Sequence, residues 1–329
     1  MDISIIIVSY KTPDLILGCI RSIYENSSSI NLEIIVVDNA FGDGSKELVL
    51  NNFKDVIWID SGYNAGFSRA NNIGIKRASG DYLLILNPDT FIKGDFLGKL
   101  MSFYKNQDLL FEDKLGLLTT RIISSVNQSL LVGTGRKFVG FQREIKKNPF
   151  SILLNRILGG KKVAYEPKKF HYHNHEVDFV SGACFMIQRS KLTANNLYFD
   201  EDFFLYFEDL EFCFRTRKAG LRNYFCSDIE IYHVNSASTS KTNNLNAQIK
   251  ISEYLFYFKR FNPFQYFLLG NLVKFNFYLN RFLLRRKNEV YLLEELRFEK
   301  QLFNEYFFQI PKKYRKGKIG KVDFLKYDK

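Results

Sequence analysis

The segment Ile3–Ser9 is a continuous apolar run, the pattern of a strand buried on both faces. Thr12-Pro13-Asp14 follows it and reads as a helix start, with Thr12 as the cap and Pro13 in the first turn. Leu15, Cys19, Ile20 and Ile23 then recur at helical spacing. A second buried strand is predicted at 33–37, and Asp43-Gly44-Ser45 opens a second helix. A third strand falls at 56–59, a helix at 68–78 that stops at Gly80, and a fourth strand at 82–86. Strand and helix alternate throughout, which predicts an α/β fold with a mostly parallel sheet flanked by helices.

The rhythm fails from about 103 to 176. Basic clusters appear there, at 143–147 and at Lys161-Lys162, and the stretch reads as a variable insertion rich in loops. It recovers at Val177. A strand at 179–188 crosses a Ser181-Gly182-Ala183 bend, a helix follows at 207–218, and short strands lie at 223–226 and 230–232. In the helix, Leu210, Phe214 and the stem of Arg217 are placed on one face. Beyond His233 the chain turns helical, aromatic and basic over 247–308, and a basic tail runs from Lys312. The expected division is an α/β domain over 1–245 and a helical extension over 246–329, without internal repeats.

Composition narrows the partners. Apolar residues make up 46% of the 329 positions, enough for a large core, and 33 phenylalanines need cover. A net charge of +12 points to an anionic partner: nucleic acid, an anionic membrane surface or a diphosphate. Cys19, Cys184, Cys213 and Cys226 form no Cys-x-x-Cys pair, and the first three sit in apolar patterns as reduced core residues. No basic stretch and apolar core precede the first strand, so a secretory leader is not expected and the reading is cytoplasmic. Ser9-Tyr10-Lys11-Thr12-Pro13 is no glycine-rich dinucleotide fingerprint, which argues against a dehydrogenase.

Ligands of open α/β sheets sit beyond the carboxyl ends of the strands. Three such ends carry polar groups here: Ser9-Tyr10, Asp38-Asn39 and Asn87-Pro88-Asp89. Asp89 suits Mg²⁺ or Mn²⁺ beside substrate phosphates. Asp38 suits the N–H or O–H groups of a base or ribose. The segment from Gly62 to Asn72 opens a helix with Asn64, Gly66, Arg69 and Asn71, and its backbone and guanidinium suit a phosphate. Glu208 and Asp209 lie within an aromatic run at a helix N-terminus, where burial would raise a carboxylate toward a useful base. The same acids, with Asp38 and Asp89, argue against a nucleic-acid binder. His233, after a strand, is placed to reach the metal or the diphosphate. His171, His173 and His175 would share one strand face, but only Glu176 is at hand to complete a zinc set.

Taken in order, these segments resemble the family 2 glycosyltransferases of the GT-A fold, and in particular their rhamnosyltransferase-like branch. The likeness rests on residues 3–12, on Val36-Val37-Asp38-Asn39 with Asp43-Gly44-Ser45, and on Asn64-Ala65-Gly66-Phe67 with Asn71-Asn72-Ile73-Gly74. It continues through Gly80-Asp81-Tyr82 to Asn87-Pro88-Asp89, Val180-Ser181-Gly182-Ala183-Cys184, Phe207-Glu208-Asp209 with Phe212-Cys213-Phe214-Arg215, and His233 with Ser238. It spans about 1–100 and 177–240.

The resemblance implies a Rossmann-like GT-A domain and an inverting transfer in which Asp209, beside Glu208, is the base. Asp89 would be the metal ligand, with His233 at the metal or diphosphate. Ser9, Tyr10, Asp38, Asn64, Gly66, Arg69, Asn71 and Asn87 would line the nucleotide-sugar site. The donor it suggests first is dTDP-rhamnose, and the acceptor a saccharide or polyprenyl-linked glycan of bacterial surface polysaccharide such as O-antigen or capsule. Such an acceptor would put the enzyme on the inner face of the plasma membrane, with no role for nucleic acid. Hexosyl or galactofuranosyl donors, and a non-catalytic polymer-assembly subunit, stay open. Two residues depart from the pattern: Asn87 stands where many members have a second acid, and Arg69 where small residues are common.

The extension holds a long apolar helix pattern over 264–286, with Lys274, Arg281 and Arg285 on one face at steps of seven and four. Charge-free sequence runs only from Phe261 to Val273, too short to span a bilayer. Two readings follow: a helix lying in the membrane interface, or one packed with its basic stripe solvated.

Overall fold

A computed structural model describes residues 1–27, 30–40, 42–131, 169–234, 243–287 and 290–315. The basic clusters at 143–147 and 161–162, Ser238 and the tail beyond 315 lie outside the described residues. The chain divides into two compact units, the first formed by 1–137 and 166–240, the second by 138–165 and 241–329.

In the first unit the expected βα alternation is present. Strand β1 (Ile3–Ser9) leads to α1 (Pro13–Glu25), β2 (Leu32–Asp38), α2 (Ser45–Asn52), β3 (Ile57–Asp60), α3 (Gly66–Arg77) and β4 (Tyr82–Leu86). These four strands run parallel in the order β3-β2-β1-β4. Ile3, Ile5 and Ile7 face α1, meeting Ile16, Cys19, Ile20 and Ile23. Ile6 faces α3, so closely that a Cβ on Gly74 would stand 2.5 Å from its methyl. Thr12 makes no side-chain cap to α1; its hydroxyl has no hydrogen-bond partner, and the carbonyl alone accepts the Ile16 N–H.

The sheet continues through β5 (Thr90–Phe91), β6 (Leu115–Ser124), β7 (His175–Val177), β8 (Cys184–Gln188) and β9 (Arg222–His233). Beyond β4 the order is β8-β6-β9-β5, with β7 also on β9, giving nine strands among the described residues. Strand β8 is antiparallel to β4, and β6 is parallel to β9. The second part of the sheet is therefore mixed, while the first is purely parallel.

Regular elements reach into the stretch that reads as an insertion: the second half of α4 (Phe96–Leu110), the whole of β6, a central strand, and the start of β7. Asp95 caps α4 by accepting the Gly98 N–H. Tyr104 is fully buried, its hydroxyl 2.9 Å from the carbonyl oxygens of both Leu115 and Gly116. The strand at 179–188 begins only at Cys184, because 181–183 form a turn. The two short strands before His233 are one twelve-residue strand, and its register against β6 shifts between Thr120 and Arg121. After β8 come α5 (Arg189–Ala194) and α6 (Glu208–Lys218).

The second unit is helical where it is described: α7 (Asn243–Arg260), α8 (Pro263–Lys287), α9 (Val290–Leu302), a π-helical turn at Phe303–Phe307 and α10 (Ile310–Arg315). An aromatic cluster centres it. Tyr266 stacks on Phe307 at 4.3 Å and donates its hydroxyl to the Phe307 carbonyl at 2.6 Å. Tyr254 meets the edges of both Phe303 and Phe307.

Candidate active site

At the carboxyl end of the parallel strands, Ser9 and Asp38 lie side by side in register. Asn39 donates its N–H to the Ser9 carbonyl at 2.8 Å, and Asp38 accepts the Ala40 N–H at 2.8 Å. Both side chains are buried, and the Ser9 hydroxyl has no hydrogen-bond partner. Tyr10 is partly exposed beyond them, with the Lys11 ammonium 5.3 Å from its ring. Lys11 has φ +54°, a left-handed conformation that non-glycine residues seldom adopt. Nothing in the sequence marks it.

Asp89 and His233 are 144 positions apart and meet because β5 pairs with the end of β9, Thr90 opposite His233. Their nearest atoms, Asp89 Oδ1 and His233 Nε2, are 3.0 Å apart. The geometry is not that of a hydrogen bond: Oδ1 and both ring nitrogens lack a hydrogen-bond partner, although Asp89 is only 2% exposed. Buried polar atoms normally find partners. Two neighbouring ligands of an octahedral ion, with bonds of about 2.1 Å, would also lie about 3.0 Å apart. The pair thus fits a hard divalent cation whose remaining sites go to diphosphate oxygens and water. Among the described residues no group of three His, Cys, Asp or Glu side chains suits a metal. That holds also for His171 and His175, whose rings lie near that of Phe225 at centroid distances of 5.4 and 5.5 Å.

The second acid site opens α6. Tyr206 and Phe207 both have φ +67°, a strained turn of the kind that aims side chains at functional sites. It brings Glu208 and Asp209 inward. The buried face of α6 is Glu208, Glu211, Phe212, Cys213 and Thr216, while Leu210, Phe214 and Arg217 share the more exposed face. Asp209 accepts the Gly182 N–H at 3.1 Å and the Leu210 N–H at 2.8 Å. Burial pushes its carboxyl up to about 6, against the pull of those two donors. Burial and the Asp209 charge raise Glu208 well above the usual range, and its Oε2 has no hydrogen-bond partner.

Gly182-Ala183 ties the two acid sites together. The Gly182 N–H holds Asp209, and the carbonyl of the following residue, Ala183, accepts the Asn87 N–H at 3.0 Å. Asn87 in turn opens the turn that carries Asp89.

The start of α3 closes the arrangement. Asn64 caps the Gly66 N–H at 3.2 Å, and Phe67 donates its N–H to the Phe204 carbonyl at 2.7 Å. Asn71 is wholly buried and donates to the Phe67 carbonyl within its own helix. The clamp is its neighbour Asn72, which exchanges hydrogen bonds with the Phe199 backbone at 2.9 Å each way and donates to Glu201 at 3.0 Å. The Arg69 guanidinium, expected at phosphate, stands 3.8 Å from the Glu201 carboxylate.

Gly66 has φ +76°, and a Cβ there would lie 2.4 Å from the Phe204 carbonyl oxygen. Gly66→Ala is expected to lower stability by about 1–3 kcal/mol through this strain and to displace the strained turn before α6. Thermal unfolding measures the first, turnover the second. An unchanged melting temperature would show that the contact yields freely.

Residues 4–111 match the family model described as glycosyl transferase family 2. These residues form a family 2 glycosyltransferase domain. This glycosyltransferase is 28% identical over 241 residues to a low-salt glycan biosynthesis hexosyltransferase of Haloferax volcanii, covering 70% of this chain and 67% of that protein. It is 26% identical over 236 residues to the rhamnosyltransferase WbbL of Escherichia coli, covering 70% of this chain and 82% of that one. A shorter match, 33% over 89 residues, joins 26% of the chain to 20% of a poly-beta-1,6-N-acetyl-D-glucosamine synthase of Staphylococcus aureus. The mostly parallel sheet with flanking helices agrees with the GT-A fold.

Proposed function

We propose that this enzyme is an inverting transferase that moves a sugar, with rhamnose the leading candidate, from a nucleoside diphosphate to a hydroxyl of a glycan or lipid-linked saccharide. The observation that carries this reading is the Gly182-Ala183 bridge, which sets a carboxylate raised by burial next to the turn of a buried Asp–His pair. One side suits proton removal, the other diphosphate.

In this reading Asp209 takes the proton of the acceptor hydroxyl. That oxygen bonds to the anomeric carbon as the bond from that carbon to the diphosphate oxygen breaks. The nucleoside diphosphate leaves with the electron pair, and attack from the opposite face inverts the centre. Asp89 and His233 would hold a Mg²⁺ or Mn²⁺ ion, which supplies neutralisation of the leaving group's charge when bound. Ser9, Tyr10 and Asp38 suit the nucleoside, and Asn64, Gly66, Asn71 and Asn87 lie on the segments that frame the sugar and phosphates. Arg69 reaches the donor only by leaving Glu201.

Rhamnose is favoured by the rhamnosyltransferase relative and the resemblance of the motifs; the hexosyltransferase relative supports a hexose. The test is release of nucleoside diphosphate from dTDP-rhamnose, UDP-hexoses and UDP-galactofuranose with Mn²⁺ and a lipid-linked saccharide pool. Acceptor-dependent release that is greatest with dTDP-rhamnose supports the proposal. No release from any donor, with nucleotide still bound, would favour a non-catalytic subunit.

A pH profile follows from Asp209. The base works ionised, so kcat/KM is expected to be half-maximal near pH 6 and to fall tenfold per unit below it. A profile flat down to pH 4 would remove Asp209 from the proton transfer.

A further inference from the structure

Helix α8 of the second unit carries 25 residues without one aspartate or glutamate, and five of them are basic. At about 100° per residue, Phe264, Phe267, Lys274, Arg281 and Arg285 fall within about a third of its circumference. All five are exposed, Phe264 by 72% and Phe267 by 61%. The opposite side is committed to the unit's own core. Tyr266, Leu269 and Phe277 are buried there, and Gly270 admits the Phe307 ring so closely that a Cβ would stand 2.5 Å from it. The helix is therefore fixed by one side, and the aromatic and basic side faces outward.

We propose that this face of α8 docks the enzyme on an anionic lipid bilayer, lying in the plane of the interface. Aromatic rings at one end insert among acyl chains and headgroups, and the cations pair with anionic headgroups. Charge complementarity decides the partner: a face with no carboxylate repels a second copy of itself and attracts a negative surface. No described helix is long and apolar enough to cross a membrane, so α8 rests on the surface rather than spanning it. The inference is independent of the donor and acceptor chosen above.

The experiment is co-sedimentation of the full chain with phosphatidylglycerol-containing and pure phosphatidylcholine vesicles at physiological salt. Binding is expected to the first and not the second, and to weaken as salt rises. Lys274→Ala/Arg281→Ala/Arg285→Ala should lower the partition coefficient about 5-fold per cation, about 100-fold in all. Phe264→Ser/Phe267→Ser should lower it with the charge intact. Each variant is checked by thermal unfolding and by donor binding. Equal binding of wild type and both folded variants would overturn the proposal. So would concentration-dependent self-association abolished by Phe267→Ser, or binding to a single-stranded oligonucleotide with none to the vesicles.

Discussion

Asp209→Asn is expected to lower turnover by about 10²–10⁴-fold while donor affinity stays nearly unchanged. The swap keeps shape and one acceptor oxygen for the Gly182 or Leu210 N–H but removes the charge that takes the proton. Single-turnover kinetics measure the first effect, and calorimetry with the nucleoside diphosphate the second. Glu208→Gln, run beside it, separates the two acids. Burial and the charge on Asp209 raise Glu208 well above the usual carboxylate range, so its amide should transfer at a rate closer to wild type. Near-normal turnover in Asp209→Asn with a dead Glu208→Gln would assign the base to the other acid. Turnover in both would end the catalytic reading of this motif. A stability difference comes with the swap. Burial raises Asp209 from 3.8 to about 6, so the folded state takes up the proton more readily than the unfolded chain. Stability from this group is full below pH 4 and is lost as pH rises through about 6. The asparagine variant should therefore melt above wild type at pH 8 and close to it at pH 4.

The second large effect belongs to Asp89. Asp89→Ala is expected to abolish the part of nucleoside diphosphate affinity that Mn²⁺ confers. Asn87 stands where a second acid would compensate, and His233 is the sole remaining partner seen across the β5–β9 pairing. Calorimetry with and without Mn²⁺ should show a gain in wild type and none in the variant. His233→Ala removes a neutral ligand and should lose part of the gain. If Asp89→Ala keeps the full metal-dependent affinity, the divalent ion sits elsewhere.

The strands β1, β2 and β4 were legible because parallel strands buried on both faces leave continuous apolar runs. Strand β6 was not. Its Thr119 and Thr120 are completely buried, and Thr119 satisfies its hydroxyl by donating to the Cys184 carbonyl at 2.8 Å, so polar letters conceal a central strand. The motifs located Asp89 and His233 separately; a two-residue strand brings them together, too short to leave a pattern. Asn71 and Asn72 are adjacent amides about 100° apart on a helix, and sequence alone does not say which one turns toward the Phe199 backbone. The burial of Glu208 at the start of α6 was legible from the aromatic run that surrounds it, whereas the strained turn at Tyr206 and Phe207 leaves no pattern.

The Gly182-Ala183 dipeptide has a thermodynamic consequence. Peptide units are rigid planes, and here three of them, from Ser181–Gly182 to Ala183–Cys184, lead from Asp209 to the turn bearing Asp89. Any coupling of donor binding to the ionisation of Asp209 along this path is reciprocal, so the small change in donor affinity expected of Asp209→Asn also bounds the factor by which a bound donor shifts that ionisation.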